Sequence, residues 1–435
     1  MRIRAGVREF SLAGRVVVLV GSALLLTASG TIVGRASQTD ANGARPAPAG
    51  MAASADVATA PRLTITPRDG DGGARPDLGV VVKVANGKLG DVAVRPKGSK
   101  GDGLPGELSA DRTSWRTRWT LVPGASYSVR ATATSPSGVT ARASSTFTTQ
   151  QAWQTIAISD VTPNPGETVG VGMPITVTFD RPVFNKDRVE RALEVRSTRA
   201  VQGAWRWVSD QQVVFRTRRY WQPHQQVTLI AHLAGVRAAR DVYGTSDSTQ
   251  GFRIGDANLS RVDVKTHRMV VSRNGKRVRD VGISAGRGGS WMFTTTNGVH
   301  AVMGKASPVV MTSEWMGITD PKDPLYYKLT VFDAVQISSS GEYIHSAPWS
   351  VWAQGHTNVS HGCVNVSPSV AEWFYGISQR GDIVTVTGTD RELEWNNGYG
   401  YWQMPWKEWV QGSALPRPVL STRTATPPAP PRRGS

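Results

Sequence analysis

The sequence predicts a mainly β protein: two β-sandwiches in tandem, then a β-rich unit carrying one main helix and a small C-terminal subdomain. Three observations carry that expectation. Short runs of alternating apolar residues, closed by Gly, Asn and Pro, recur from Leu63 onward, which is the pattern of half-buried strands. A shift of one hundred residues aligns Arg116-Thr117-Arg118, Pro123, Tyr127 and Val129 with Arg216-Thr217-Arg218, Pro223, Val227 and Leu229, implying a duplicated unit. One segment near residue 370 has a convincing helical period.

The chain opens with Arg2, Arg4, Arg8 and Arg15, followed by nineteen uncharged residues from Val16 to Gly34. Such a segment is built to enter a membrane. Thr27-Ala28-Ser29-Gly30 offers small residues to a peptidase, while nineteen residues at a rise of roughly 1.5 Å approach a bilayer core of ~30 Å. Residues 1–34 therefore read as a signal peptide or a membrane anchor. The leading arginines place the bulk of the chain outside, an extracytoplasmic location. No cysteine lies here, which excludes an acylated lipoprotein anchor. Residues 35–60, rich in Ala, Gly and Pro, read as a flexible linker.

Gly79 to Ala85, Asn86-Gly87 and Lys88 to Val94 predict a hairpin, because Asn-Gly suits a tight type I′ turn. The repeat then assigns residues 61–150 and 151–254 to two sandwiches, immunoglobulin-like in architecture though without the Cys and Trp marks of antibody domains. A third unit spans 255–390. Arg268 to Ser272, Asn274-Gly275 and Arg277 to Ile283 predict its opening hairpin, and strands follow at Val331 to Ile337 and Tyr343 to His345, turned by Ser340-Gly341. Ser369 and Glu372 suggest a capping box for a helix with Val370, Trp373, Phe374 and Ile377 on one face, stopped by Gly381. Trp395, Trp402, Trp406 and Trp409, with Pro405 opening a short helix, are expected to dock residues 391–412 onto the third unit. Residues 413–435 read as a disordered tail.

A net charge of +17 points either to a soluble basic surface or to a polyanionic partner. No helix-turn-helix, zinc-finger spacing or aromatic RNA-binding signature accompanies it, so no nucleic acid is expected. The sharper signal is a single cysteine, Cys363, in 435 residues. One thiol makes no internal bridge, so in an exported chain it is a small buried hydrophobe, an intermolecular link or a nucleophile. A nearby imidazole is the usual means of taking a thiol proton. His224, His232, His267 and His300 fall to surface or core roles by default, leaving His345, His356 and His361 near Cys363 in sequence; spacing alone does not choose among them. Gly362 lets the backbone turn so that neighbouring amides face a bound carbonyl oxygen. His356, His361 and Cys363 lack a fourth ligand at the usual spacing, so no metal and no cofactor is expected.

His345-Ser346, Trp349, Gln354-Gly355-His356-Thr357-Asn358 and Ser360-His361-Gly362-Cys363-Val364-Asn365 together resemble the L,D-transpeptidases of bacterial cell walls. The similarity is to the actinobacterial, mycobacterial-type members, which have two immunoglobulin-like domains ahead of a YkuD-type catalytic domain. It extends through Val366-Ser367-Pro368, Trp373-Phe374-Tyr375, Arg380-Gly381-Asp382-Ile383-Val384 and Trp402 to Trp409.

The resemblance implies that Cys363 attacks the diaminopimelate carbonyl of a donor tetrapeptide stem and expels D-alanine. A second diaminopimelate amine then resolves the thioester into a 3→3 cross-link. It makes His345 the general base oriented by the Ser346 carbonyl, and the amides of Gly362 and Cys363 an oxyanion hole aided by Tyr327. Ser360, His361 and Asn365 shape the pocket, while Met311 and Trp349 line the substrate path. Carbapenem-type β-lactams are expected to acylate Cys363. Three other readings stay open: an L,D-carboxypeptidase using water, a wall-bound scaffold that does no chemistry, and a general cysteine peptidase.

Overall fold

The computed structural model describes residues 60–423, and the N-terminal segment and nearly all of the linker lie outside them. Three successive units each enclose a hydrophobic core. The first sandwich has one sheet in the order Arg62–Thr66, Val81–Ala85, Ser114–Thr117, Gly106–Leu108 and a second in the order Lys88–Pro96, Ser126–Thr134, Thr140–Thr148. Alternation does the burying: along Ser126–Thr134, Tyr127, Val129, Ala131 and Ala133 point inward against Leu89, Trp115 and Phe147.

The turn at Asn86-Gly87 forms, with Asn86 at φ 58°, but it does not close a hairpin. Its flanking strands belong to opposite sheets, Val81–Ala85 pairing with Arg62–Thr66 and Ser114–Thr117, and Lys88–Pro96 with Ser126–Thr134. Gly87 is needed here because a Cβ would sit 2.7 Å from the Thr134 carbonyl oxygen. A sequence-local turn signal specifies the reversal and leaves the pairing partner to the rest of the chain.

The second sandwich stacks a sheet ordered Thr168–Val169, Ser248–Ile254, Gln225–Ala231, Leu193–Ser197, Thr422–Arg423 on one ordered Val419–Leu420, Gln202–Trp207, Gln212–Thr217, Ile175–Phe179, Ile158–Thr162. The hundred-residue repeat maps like onto like. Ser114–Thr117 and Gln212–Thr217 bury Trp115 and Phe215, and each is followed by a strand in the opposite sheet. The expected disordered tail is corrected for residues 413–423: Val419–Leu420 pairs with Gln202–Trp207 and Thr422–Arg423 with Leu193–Ser197, so the tail closes one edge of both sheets. The Ser421 hydroxyl, 2.7 Å from Ser197 Oγ and accepting from Val201 N–H at 2.9 Å, fixes the crossing.

The tryptophan-rich segment docks on the second sandwich as well as on the third unit. Arg216, 3 % exposed, is caged by Trp402, Trp406 and Trp409, whose ring centroids lie 4.9, 5.6 and 4.8 Å from its guanidinium carbon. It donates to the carbonyls of Tyr401 and Met404, and Trp409 Nε1 donates to Ala204 O at 3.0 Å. The rings seek a cation and an apolar strand face, and the second sandwich supplies both. The third unit holds the same segment too: Asn397 Oδ1 accepts from Ser339 Oγ at 2.8 Å and Ser340 N–H at 3.0 Å, Leu393 N–H donates to Asn297 O at 2.9 Å, and Gln403 Oε1 accepts from Val299 N–H at 2.8 Å.

The third unit has a sheet ordered Lys276–Gly282, Arg268–Arg273, Asn258–Asp263, Ile383–Thr387, Gly298–Ala301 and another ordered Gly304–Ala306, Ala334–Gln336, Tyr343–Ser346, Val364–Val366. Its opening hairpin forms, with Asn274 and Gly275 at φ 50° and 82°, as a type I′ turn requires. The strand expected over Val331 to Ile337 breaks at Phe332-Asp333, where Asp333 takes φ 49°. Before the break the chain pairs as a ribbon, Val309–Thr312 with Lys328–Val331.

The helix runs Pro368–Ile377 with Ser367 at its N-cap, and no side chain caps it, so the Ser369/Glu372 box does not form. Pro368 explains the early start, since its fixed φ and missing N–H suit the first helical position. The helix also ends before Gly381, whose φ of 87° and packing against Met173, with no room for a Cβ, serve the contact with the second sandwich.

Candidate active site

Cys363 sits at the N-terminal edge of the strand Val364–Val366, which runs parallel to Tyr343–Ser346 with Ile344 opposite Val364 and His345 opposite Asn365. Extending the register by one residue sets Tyr343 opposite Cys363, so His345 is a diagonal neighbour of Cys363 on the same face. A cavity of about 550 Å³ opens here between the ribbon and the Ser360–Cys363 turn; Cys363, Gly362, His361, Tyr327 and Met311 are on its wall.

The turn satisfies itself. Ser360 Oγ donates to the Cys363 carbonyl at 2.6 Å and accepts the Gly362 N–H at 3.1 Å. Gly362, at φ 130°, takes a conformation that favours glycine, and its carbonyl accepts from Thr295 Oγ1 at 2.8 Å. This corrects one expectation: the Gly362 amide is committed to Ser360, whereas Cys363 N–H makes no hydrogen bond among the described residues. Tyr327 stands ready as a donor, since its hydroxyl oxygen accepts from Trp315 Nε1 at 2.8 Å and its own proton is free. Burial holds the Tyr327 phenol above its usual pKa, which keeps it protonated.

The half-buried Cys363 is also held in its protonated form. Burial pushes its thiol up to about 12, and the Glu342 carboxylate adds to the rise against the opposing pull of the Tyr343 N–H. The sulfur donates to Gly341 O at 3.7 Å. No hydrogen bond joins it to His345 among the described residues, although the two share a face.

His345 is 3 % exposed. Its Nδ1 lies 3.0 Å from the Ser346 carbonyl, which only accepts, so Nδ1 carries the proton and Nε2 the lone pair. Burial lowers its pKa, favouring this neutral, basic form. An imidazole with its tautomer set by a backbone oxygen is equipped to accept a proton from a neighbouring thiol.

Of the other expected residues, Asn365 and Trp349 lie off the cavity and His361 is on its wall. Asn365 Nδ2 donates to Ser350 Oγ at 3.0 Å, bracing the turn Pro348–Ser350 that follows His345-Ser346. Trp349 is not on the cavity; its half-exposed ring lies 6.1 Å from the His345 ring. His361 stacks on Tyr327 at 5.0 Å and meets Phe293 edge-on at 5.2 Å, so it shapes the pocket through its neighbours. Sequence reasoning missed Trp291, Trp315, Glu342, Tyr343 and Arg391, all on the same wall. Glu342 was legible only as the neighbour of His345's strand: its oxygens accept from Thr296 N–H at 2.7 Å and Thr296 Oγ1 at 2.6 Å, beside the fully buried His300. Nothing in the sequence distinguishes Arg391.

Comparison with known proteins adds two matches to family profiles: a bacterial Ig domain over residues 71–237 and an L,D-transpeptidase catalytic domain over residues 258–386. The chain is 36 % identical over 355 residues to L,D-transpeptidase 2 of Mycobacterium tuberculosis, covering 81 % of this chain and 85 % of that one. It is 33 % identical over 365 residues to L,D-transpeptidase 5 of the same organism, covering 83 % and 78 %. Among solved structures, the LD transpeptidase LdtMt1 in complex with imipenem matches 53 % of this chain and 99 % of its own at 35 % identity, with a TM-score of 0.46.

Proposed function

Since this chain belongs to the L,D-transpeptidase family, as an enzyme with an immunoglobulin-like region ahead of its catalytic domain, we propose that it forms 3→3 cross-links between diaminopimelate residues of peptidoglycan stems through a thioester on Cys363. One observation supports this reading above the others. The only cysteine lies on a substrate-sized cavity, diagonal to a buried imidazole whose proton is pinned on Nδ1 by Ser346.

In the first half-reaction the thiol turns from Gly341 O toward His345 Nε2, which takes its proton as Sγ bonds to the diaminopimelate carbonyl of a donor tetrapeptide. Cys363 N–H and Tyr327 O–H are the donors available to the oxyanion. The C–N bond to D-alanine then breaks, and Nε2 returns the proton to the leaving amine. In the second, the amine of an acceptor diaminopimelate attacks the thioester, cedes a proton to Nε2 and releases the sulfur, which regains a proton from the imidazole. A thiol this hard to ionise fits proton transfer during attack better than a standing thiolate. A carbapenem-type β-lactam offers the same sulfur a strained carbonyl and is expected to acylate it. Such a substrate is met at the cell wall, so the proposal includes an extracytoplasmic location.

Intact-mass spectrometry tests the proposal. Incubation with a donor tetrapeptide should add the mass of the stem less D-alanine, Cys363→Ala should show no adduct, and an acceptor stem should discharge the adduct as a cross-linked dimer. Discharge by water alone would make the protein an L,D-carboxypeptidase, and absence of any adduct would overturn the reading.

A further inference from the structure

Beyond the Cys363 cavity lies a second one, of about 570 Å³, reached past a glycine-rich stretch, Gly286 to Ser290. The two share Trp291 and Arg391 as wall. Arg391 is 8 % exposed and lies with its guanidinium carbon 3.7 Å from the centroid of the Trp291 ring. Its Nη1 donates to the carbonyls of Trp291 and Thr294 at 3.3 and 3.1 Å, yet its Nε is buried with no partner.

No carboxylate lies within ion-pair distance of Arg391 among the described residues. Glu394, the acid whose charge it helps stabilise, is held by Asn397. Glu342, on the same wall, is committed to Thr296. Asp390, on the wall of the second cavity, makes no ion pair with it either. A buried guanidinium without an anion is costly unless something completes it. Arg216, the other buried arginine without a carboxylate, is closed in by three indole rings and lines neither of these two cavities. Arg391 instead faces two open spaces that continue from the thiol.

We propose that Arg391 is the anion-recognition residue of this site, binding one carboxylate of the peptide stem whose carbonyl is presented to Cys363. The assignment rests on the transpeptidase reading and deepens it: a planar fork of donors, half used by protein carbonyls, selects a carboxylate over the neutral amide of the same shape. Nothing in it depends on which stem carboxylate is held, and the test identifies that group.

Tetrapeptide stems in which one carboxylate at a time is replaced by its primary amide are compared with the all-acid stem by the rate of thioester formation. In the wild-type protein one of these amides should react roughly tenfold more slowly, the effect of losing a charge-assisted hydrogen bond. In Arg391→Gln that amide and the acid should react at the same rate, with Cys363 alkylation by iodoacetamide unchanged. A purely structural role would slow acid and amides alike. Equal rates for all stems in the wild type, or discrimination surviving in Arg391→Gln, overturns the proposal. Should that variant not fold, Arg391→Lys keeps the charge without the fork and should cut the discrimination at least threefold; unchanged discrimination overturns it equally. Calorimetric binding of the same stems to Cys363→Ala, alone and with Arg391→Lys, decides the assignment even if no stem forms a thioester, an outcome that would sink the transpeptidase reading alone.

Discussion

Cys363 donates its thiol S–H as a hydrogen bond to the carbonyl oxygen of Gly341, 3.7 Å away, while Nε2 of His345 on the adjacent strand has no partner among the described residues. The two catalytic candidates are thus set side by side and uncoupled, and the uncoupling has a signature in pH. Alkylation of Cys363 by iodoacetamide should keep rising through pH 10, because burial pushes the thiol up to about 12. Acylation by a donor stem should instead rise on an acid limb below 6.5, where the buried His345 loses its proton, and then level off. His345→Gln should slow acylation about 10²–10⁴-fold. A plateau of alkylation near neutral pH would reveal a standing thiolate and contradict the account.

Ser360 holds both ends of the turn that carries Cys363. Ser360→Ala removes two hydrogen bonds from a buried position and frees the Gly362 amide. The expected outcome is a loss of kcat of about tenfold or more, corresponding to ~1–3 kcal/mol for unsatisfied buried groups, with little change in the rate of iodoacetamide alkylation. Stopped-flow acylation kinetics reads both.

Asp382 is buried between the third unit and the second sandwich, accepting from Asn258 Nδ2 at 3.1 Å and Gln379 N–H at 2.9 Å, with its other oxygen unpartnered. Burial raises its pKa from 3.8 to about 7. The native state therefore binds this proton more tightly than the unfolded chain, so the stabilising contribution is full below pH 3.8 and is lost as pH rises through about 7. Asp382→Asn should raise the melting temperature at pH 8 and leave it nearly unchanged at pH 4. Equal shifts at both values would contradict the assignment.

Arg380 and Glu167 join the third unit to the second sandwich through paired bonds of 2.7 and 2.6 Å. The arginine holds the Glu167 carboxyl below its usual pKa, against the burial that would raise it. Each side chain remains about a quarter exposed, so the pair is worth about 1 kcal/mol, at the upper end for partly solvated ion pairs. A double-mutant cycle on Glu167→Gln and Arg380→Gln, followed by urea unfolding, should return a coupling of that size that shrinks in high salt.

The sequence by itself determined whatever is encoded by near neighbours: the period-two strands, the Asn274-Gly275 hairpin, the helix carrying Val370 to Ile377, and the turn at Gly362 beside Cys363. These features need only the residues that compose them, because pleat, turn chemistry and helical period are local. The tertiary structure alone decided that Asn86-Gly87 crosses between sheets, that the tryptophans close around Arg216, that residues 419–423 seal the second sandwich, and that Arg391 reaches the Cys363 cavity. Each of those joins groups from distant parts of the chain. Long-range partners are chosen by burial and by the pairing of polar groups, which no short stretch of sequence carries.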